Sequence, residues 1–78
     1  MYAAIDFGTT NTDLVIHSAS SELNFYTFQT QNVNLEFIDK IFKEISIDIS
    51  KIKSIAITGG KSSNLENTYK EIPIEKIN

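Results

Sequence analysis

With 78 residues, the chain is long enough for one small domain and no more. A domain of this length buries only a little over about 60% of its unfolded surface, and without cysteine neither a disulfide nor a Cys-ligated zinc can staple it. The net charge of −3 comes with no basic stripe for nucleic acid, no apolar run reaches membrane-span length, and no basic segment leads an apolar core at the N-terminus, so a soluble cytoplasmic protein is expected.

The elements follow in order. Residues 2–7 form a short apolar strand. Residues 12–18 form a second, with Leu14 and Ile16 on one face and Val15 on the other. Ser18 to Ser21 make a turn, and residues 23–30, rich in aromatic and β-branched side chains, give a third strand and complete an antiparallel meander. Asn32 or Asn34 can cap a helix whose apolar stripe is Leu35, Ile38, Ile41, Phe42 and Ile45. Asp39 and Lys43, four residues apart, form a mildly favourable pair on its polar side. Asp48 to Lys53 is a connection, and Ser54-Ile55-Ala56-Ile57-Thr58 is apolar enough for a central, parallel strand ending at Gly59-Gly60. A short helix near Ser62–Asn67 and a last strand over 72–77 follow, with Pro73 favouring an edge or the leading end of that strand. The expected fold is α/β, in the order βββαβ(αβ), with the helix packed on a mixed sheet.

Two segments can carry chemistry. In Asp6-Phe7-Gly8-Thr9-Thr10-Asn11 a strand ends in a tight turn. Gly8 lets backbone approach an anion, the amides around Gly8-Thr9-Thr10 can form a nest of N–H donors, and the threonine hydroxyls add more. Asp6 could hold a hydrated Mg²⁺. The same residue types also suit a plain hairpin. The second segment is Thr58-Gly59-Gly60-Lys61, where backbone turns sharply beyond a parallel strand and Lys61 offers a charge for phosphate; it too can be an ordinary turn. His17, the one histidine, suits a surface or half-buried place. No residues have metal-ligand spacing, and the P-loop spacing is absent upstream of Gly59-Gly60-Lys61. Tyr2, Phe25, Tyr26, Phe28 and Phe37 are expected in the core, because no basic groove accompanies them to form a base-stacking platform.

The order Asp-x-Gly-Thr-Thr-Asn resembles the first phosphate motif of the superfamily of sugar kinases, heat-shock chaperones and actin, whose lobes have a ribonuclease H-like fold and use the βββαβ order. The succession of phosphate turn, meander, helix, Ile-Ala-Ile-Thr-Gly-Gly and Ile-Pro-Ile is similar to the N-terminal part of type II pantothenate kinases, over nearly all of the chain. That resemblance implies ATP and Mg²⁺ as cofactors, held by Asp6, Gly8, Thr9, Thr10 and Asn11. It places Gly59, Gly60 and Lys61 on the substrate or phosphate side and implies a small-molecule substrate phosphorylated on a hydroxyl. The general base it implies is a glutamate at or beyond Asn78, with Glu75 as a poorer substitute. Two positions depart from it. Gly8-Thr9-Thr10 stands where the family has Gly-Gly-Thr, and Asp13 stands where it has a lysine, and replacing that phosphate-facing cation with a carboxylate is expected to weaken anion binding. Thr10-Asn11-Thr12-Asp13 is similar instead to the N-terminal domains of hydantoinases and oxoprolinases, which share the superfamily fold.

Superfamily members are much larger than 78 residues and close ATP between two lobes. Met1 directly before the first strand suggests a natural beginning, whereas the alternation from Ile72 that stops at Asn78 suggests a missing remainder. Residues 1–78 are therefore expected to be a single partial domain, the N-terminal portion of a lobe, inactive alone. A C-terminal lobe or a homodimer partner would complete it, unless the chain is a non-catalytic remnant.

Overall fold

A computed structural model describes residues 1–77. Strands β1 (Tyr2–Phe7), β2 (Asn11–His17) and β3 (Leu23–Gln29) form an antiparallel meander, followed by helix α1 (Leu35–Glu44). Strand β4 (Ser54–Gly59) then lies parallel to β1, and β5 (Thr68–Tyr69) and β6 (Ile72–Lys76) finish a six-stranded mixed sheet of order β3-β2-β1-β4-β6-β5. Short 3₁₀ turns cover Ile49–Lys51 and Ser62–Asn64.

Alternation along the strands separates two faces. Ala3, Ile5 and Phe7 of β1, Leu14 and Ile16 of β2, and Ile55 and Ile57 of β4 are buried on the face with the core. The helix supplies Phe37, Ile38, Ile41 and Phe42 to the same core, each contributing about 1.5–3 kcal/mol by burial. Leu35 and Ile45, at the ends of the stripe, are only half-buried. Asn34 caps the helix: its side-chain oxygen accepts from the Phe37 amide at 2.9 Å. The opposite face of the sheet has no covering element among the described residues.

The structure corrects two expectations. Tyr2 and Phe25 are not core: they are 50% and 71% exposed on the uncovered face, and Tyr26 and Phe28 are half-buried. Aromatic side chains suit either face of a strand, and the register decides which face is inside: Tyr26 and Phe28 pack against the core, whereas Phe25 between them does not. The segment after Gly60 is a 3₁₀ turn rather than an α-helix, followed by a hairpin, β5 to β6, that the sequence pattern does not announce. Its turn, Lys70-Glu71, has φ of 47° and 70°, the left-handed pair of a type I′ turn made without the usual asparagine and glycine. Pro73 takes one of its two expected places, the leading end of β6, ahead of the parallel pairing with β4 that starts at Ile74; β5 pairs with β6 only at Ile72 and Pro73.

That hairpin is tied to the helix through Asp39. Its carboxylate accepts from the Tyr69 hydroxyl at 2.7 Å and pairs with Lys43 at 2.8 Å and Lys70 at 3.0 Å. These donors hold the Asp39 pKa far below the usual carboxylate range, Lys43 contributing most, then Tyr69 and Lys70. Burial, and then the Asp39 carboxylate, push the Tyr69 hydroxyl well above its ordinary value. Because the folded-state pKa of Asp39 is depressed, its stabilisation is complete above the ordinary value of 3.8 and is lost as pH falls below it. Asp39→Asn should therefore unfold at lower urea concentration than the wild type at pH 7, and the gap between the two midpoints should narrow on acidification below about pH 4. A gap that stays constant from pH 7 to pH 3 would show that the charge of Asp39 does not act.

Candidate functional site

The site begins where β1 and β4 end side by side. Phe7 pairs with Gly59 in the parallel register, and the Gly60 amide donates to the Phe7 carbonyl at 3.1 Å. Gly59 has φ of +101°, and a Cβ on it would lie 2.3 Å from the Phe7 carbonyl oxygen. No other residue type fits there. Gly8 is constrained as well, since its Cβ would meet the Asn11 carbonyl oxygen at 2.5 Å. That contact follows from the turn: the Gly8 amide donates to the Asn11 carbonyl at 3.0 Å and closes the β1–β2 connection. Gly60 differs from both, because a Cβ there would meet nothing within 4 Å.

Two hydroxyls fasten these turns. Thr30, just past β3, donates from Oγ1 to the Gly8 carbonyl at 2.7 Å, and its amide donates to the Thr10 carbonyl at 2.9 Å. The Thr12 Oγ1 lies 2.9 Å from Thr30 Oγ1 in a fully buried position. A hydroxyl has one proton, and that of Thr30 goes to Gly8, so Thr12 is the donor to Thr30. Ser62 does the equivalent for the second turn, donating to the Gly59 carbonyl at 2.9 Å. The carbonyls are thereby claimed from within. Among the described residues, the amides of Thr9, Thr10 and Lys61 donate to no backbone carbonyl.

A cleft of about 580 Å³ opens over this junction, lined on one side by Gly8, Thr9, Gly60 and Lys61 and on the other by Thr30 to Val33. It lies beyond the carboxyl ends of two parallel strands, where ligands of α/β sheets collect. Lys61, with φ of 65°, is exposed at its rim and, among the described residues, is the one cationic side chain lining it.

The residues expected to act together divide into two groups. Gly8, Thr9, Gly60 and Lys61 come together at the cleft, although 50 residues of sequence separate the two turns. Thr10 and Asn11 are exposed in the same turn but do not line the cleft. Asp6 is exposed on the uncovered face of the sheet, directly opposite Asp13 in the β1–β2 register. Asp13 also faces away from the cleft, and its carboxylate accepts from Thr27 Oγ1 at 2.9 Å. Glu75 is exposed on β6, outside the cleft lining, and the position expected for a base, at or beyond Asn78, lies outside the described residues. His17 is exposed, its ring 6.4 Å from that of Tyr2. Among the described residues no group of three or more His, Cys, Asp and Glu could hold a metal ion, and no helix is long and apolar enough to cross a membrane. The sequence reading missed Thr30, Thr12 and Ser62. The signal available was an uncharged threonine within a strand otherwise apolar on its inner side, Thr12, which must find a partner when buried.

A three-stranded meander, a helix and a parallel fourth strand, with glycine turns at the ends of the first and fourth strands, make a half-lobe of the actin-like ATPase fold. The sequence matches no protein-family model and no curated protein. Among solved structures, the chain is similar to an activator of the 2-hydroxyisocaproyl-CoA dehydratase from Clostridium difficile, determined with bound ADPNP. The TM-score is 0.66 at 16% identity, over 97% of this chain and 28% of that one, so this chain spans little more than a quarter of its neighbour.

The staple at Thr30 is testable by itself. Thr30→Val keeps the shape but strands the buried Thr12 hydroxyl and the Gly8 carbonyl, and should destabilise the fold by about 1–3 kcal/mol. Thr30→Ser should recover most of that loss; equal urea midpoints for valine and wild type would remove the staple from the account. Gly59→Ala should cost more than about 2 kcal/mol, from the collision with Phe7 and the positive φ. Gly60→Ala should leave the melting temperature within about 1 °C of wild type, since a surface change without lost contacts is worth little.

Proposed function

We propose that the chain supplies the first phosphate-binding turn, and the wall facing it, of an ATP-dependent phosphoryl-transfer protein, a small-molecule kinase of the type II pantothenate kinase kind. The observation that carries the proposal is the meeting of Gly8-Thr9 with Gly60-Lys61 over one cleft, with turn amides left free. Phosphate fits this lining. The free amides of Thr9 and Thr10 can donate to phosphate oxygens, Lys61 offers a point charge at the rim, and the bare backbone of Gly60 leaves room for close approach. The ADPNP bound to the structural neighbour supports a nucleotide as the source of that phosphate.

Asp6 is the candidate for Mg²⁺. It is exposed, stands directly opposite Asp13 and does not line the cleft, so it could hold only a metal that keeps most of its water, bound through those waters rather than in a protein cage. When bound, the metal would neutralise charge on the transferred group. Asp13 does not line the cleft, so its replacement of the family's lysine removes a cation without placing an anion against phosphate. Substrate binding and the general base would come from a further lobe or a partner, and phosphoryl transfer depends mostly on such positioning. The run Thr10-Asn11-Thr12-Asp13 favours a second reading, the N-terminal segment of a hydantoinase- or oxoprolinase-type hydrolase, in which the same turn would serve a different reaction.

Titrating the ¹⁵N-labelled chain with MgADPNP tests the phosphate site. Amide shifts should be largest at Thr9, Thr10, Gly60 and Lys61, and Gly60→Ala should weaken binding about fivefold or more, roughly 1 kcal/mol, without changing the melting temperature. Shifts absent up to about 10 mM nucleotide, weaker than any useful affinity, or scattered away from these residues, count against the site. Steady-state phosphorylation of a hydroxyl substrate by this chain unaided would refute the half-site reading.

A further inference from the structure

The two edges of the sheet are treated differently. At one edge β5 has only two residues and is followed by the charged turn Lys70-Glu71. At the other, β3 runs seven residues, Leu-Asn-Phe-Tyr-Thr-Phe-Gln, with no charge, proline or bulge, in an acidic chain of net charge −3. Short strands, charges, prolines and bulges are the devices that keep edges from pairing. The β3 edge has none of them, and its apolar residues Leu23 and Phe25 are 54% and 71% exposed.

The hydrogen-bond phase of this edge can be fixed. The Thr30 amide donates to Thr10 at one end of the β2–β3 ladder, and the Ser18 amide donates to Glu22 at the other. Both are even-numbered pairs in a register that continues without a break from Asn11–Gln29 to His17–Leu23. Bonded and non-bonded pairs alternate in an antiparallel ladder. Asn24, Tyr26 and Phe28 therefore bond to β2, whereas Leu23, Phe25, Thr27 and Gln29 turn their amides and carbonyls to the free edge.

That pattern is complementary to itself. A second copy laid antiparallel about a two-fold axis through Tyr26 sets Leu23 against Gln29 and Phe25 against Thr27, and the reverse. All four outward-facing residues of each copy are then bonded, about eight hydrogen bonds in all. The uncovered faces of the two sheets coincide, and Phe25 reaches its own copy diagonally across the axis. No like charges meet along the strands, and Glu22, just before β3, falls opposite Thr30. We propose that β3 is an isologous homodimer interface, joining two sheets into one twelve-stranded sheet, separate from the cleft. A two-fold contact closes on itself and makes dimers rather than fibres through this edge.

Sedimentation of the full chain across a concentration series should show a reversible monomer–dimer equilibrium. Phe25→Pro removes an amide that faces only the free edge, so the β2 ladder survives while each copy loses a donor at the interface. The dissociation constant should rise roughly tenfold or more. Phe25→Lys, which leaves the backbone intact and brings two cations together at the axis, should have the same effect with an unchanged circular dichroism spectrum, and keeps the test decisive if the proline variant fails to fold. Tyr26→Cys in this cysteine-free chain should give a disulfide-linked dimer on mild oxidation, because the axis sets residue 26 against itself in a non-bonded pair with Cα atoms about 4.5 Å apart. A chain that stays monomeric up to about 1 mM, a dimer indifferent to Phe25→Lys, a Tyr26→Cys variant that does not cross-link, or open-ended assembly would each overturn the proposal.

Discussion

The close approach of Gly59 to Phe7 is the constraint on which the rest of this structure depends. Strands β1 and β4 are far apart in sequence and neighbours in space, and they can run level to their ends only because the last residue of β4 has no side chain. This brings the Gly8 turn and the Gly60 turn to one place. With any side chain at residue 59, β4 would stop short or swing away, and the two turns would no longer share a cleft. The geometry of the candidate site is thus set by a backbone contact rather than by any polar group within it.

Around that contact, hydroxyls do the fastening. Thr30 holds the Gly8 carbonyl, Thr12 holds Thr30, and Ser62 holds the Gly59 carbonyl. Each bond turns an acceptor inward and leaves neighbouring amides outward, so the surface presented to a ligand is rich in donors. This polarity arises from which partners the fold has already used. A composition of glycine, threonine and serine describes the same residues without showing it.

Much of the architecture was legible in the residues. The meander, the helix with its apolar stripe and the parallel fourth strand follow from alternation, three- and four-residue spacing and an apolar run bounded by glycine, while the choice of Asn34 over Asn32 as cap is supplied by the structure. What escaped depends on tertiary context. The β5–β6 hairpin turns on Lys70-Glu71, two residues without a turn signature, held in left-handed conformations by the packing of Tyr69 and the ties of Tyr69 and Lys70 to Asp39. Tyr2 and Phe25 face outward because register, not residue type, assigns faces. At the candidate site the sequence named both turns but did not place Asp6 on the uncovered face, although period-two alternation along β1 makes residues 6 and 7 point opposite ways and Phe7 faces the core. The roles of Thr30 and Ser62 were invisible because each acts on a carbonyl whose position only the fold supplies.

The parallel pairing of β1 with β4 also bears on how the chain is made. The meander can assemble as soon as Gln29 is available, but it leaves the β4-facing edge of β1 bare until residue 54 and its successors arrive. During synthesis, at about 5–20 residues per second, that interval lasts a second or more. Throughout it, Ala3, Ile5 and Phe7 lack one flank of their packing, and a row of backbone groups is open to any passing strand. Helix α1 emerges in that window. By covering one face of the meander before β4 is complete, it can shelter the apolar side of β1 while the edge waits. On this order of events the helix acts first as a temporary cover for a nascent chain and later as the floor of the core.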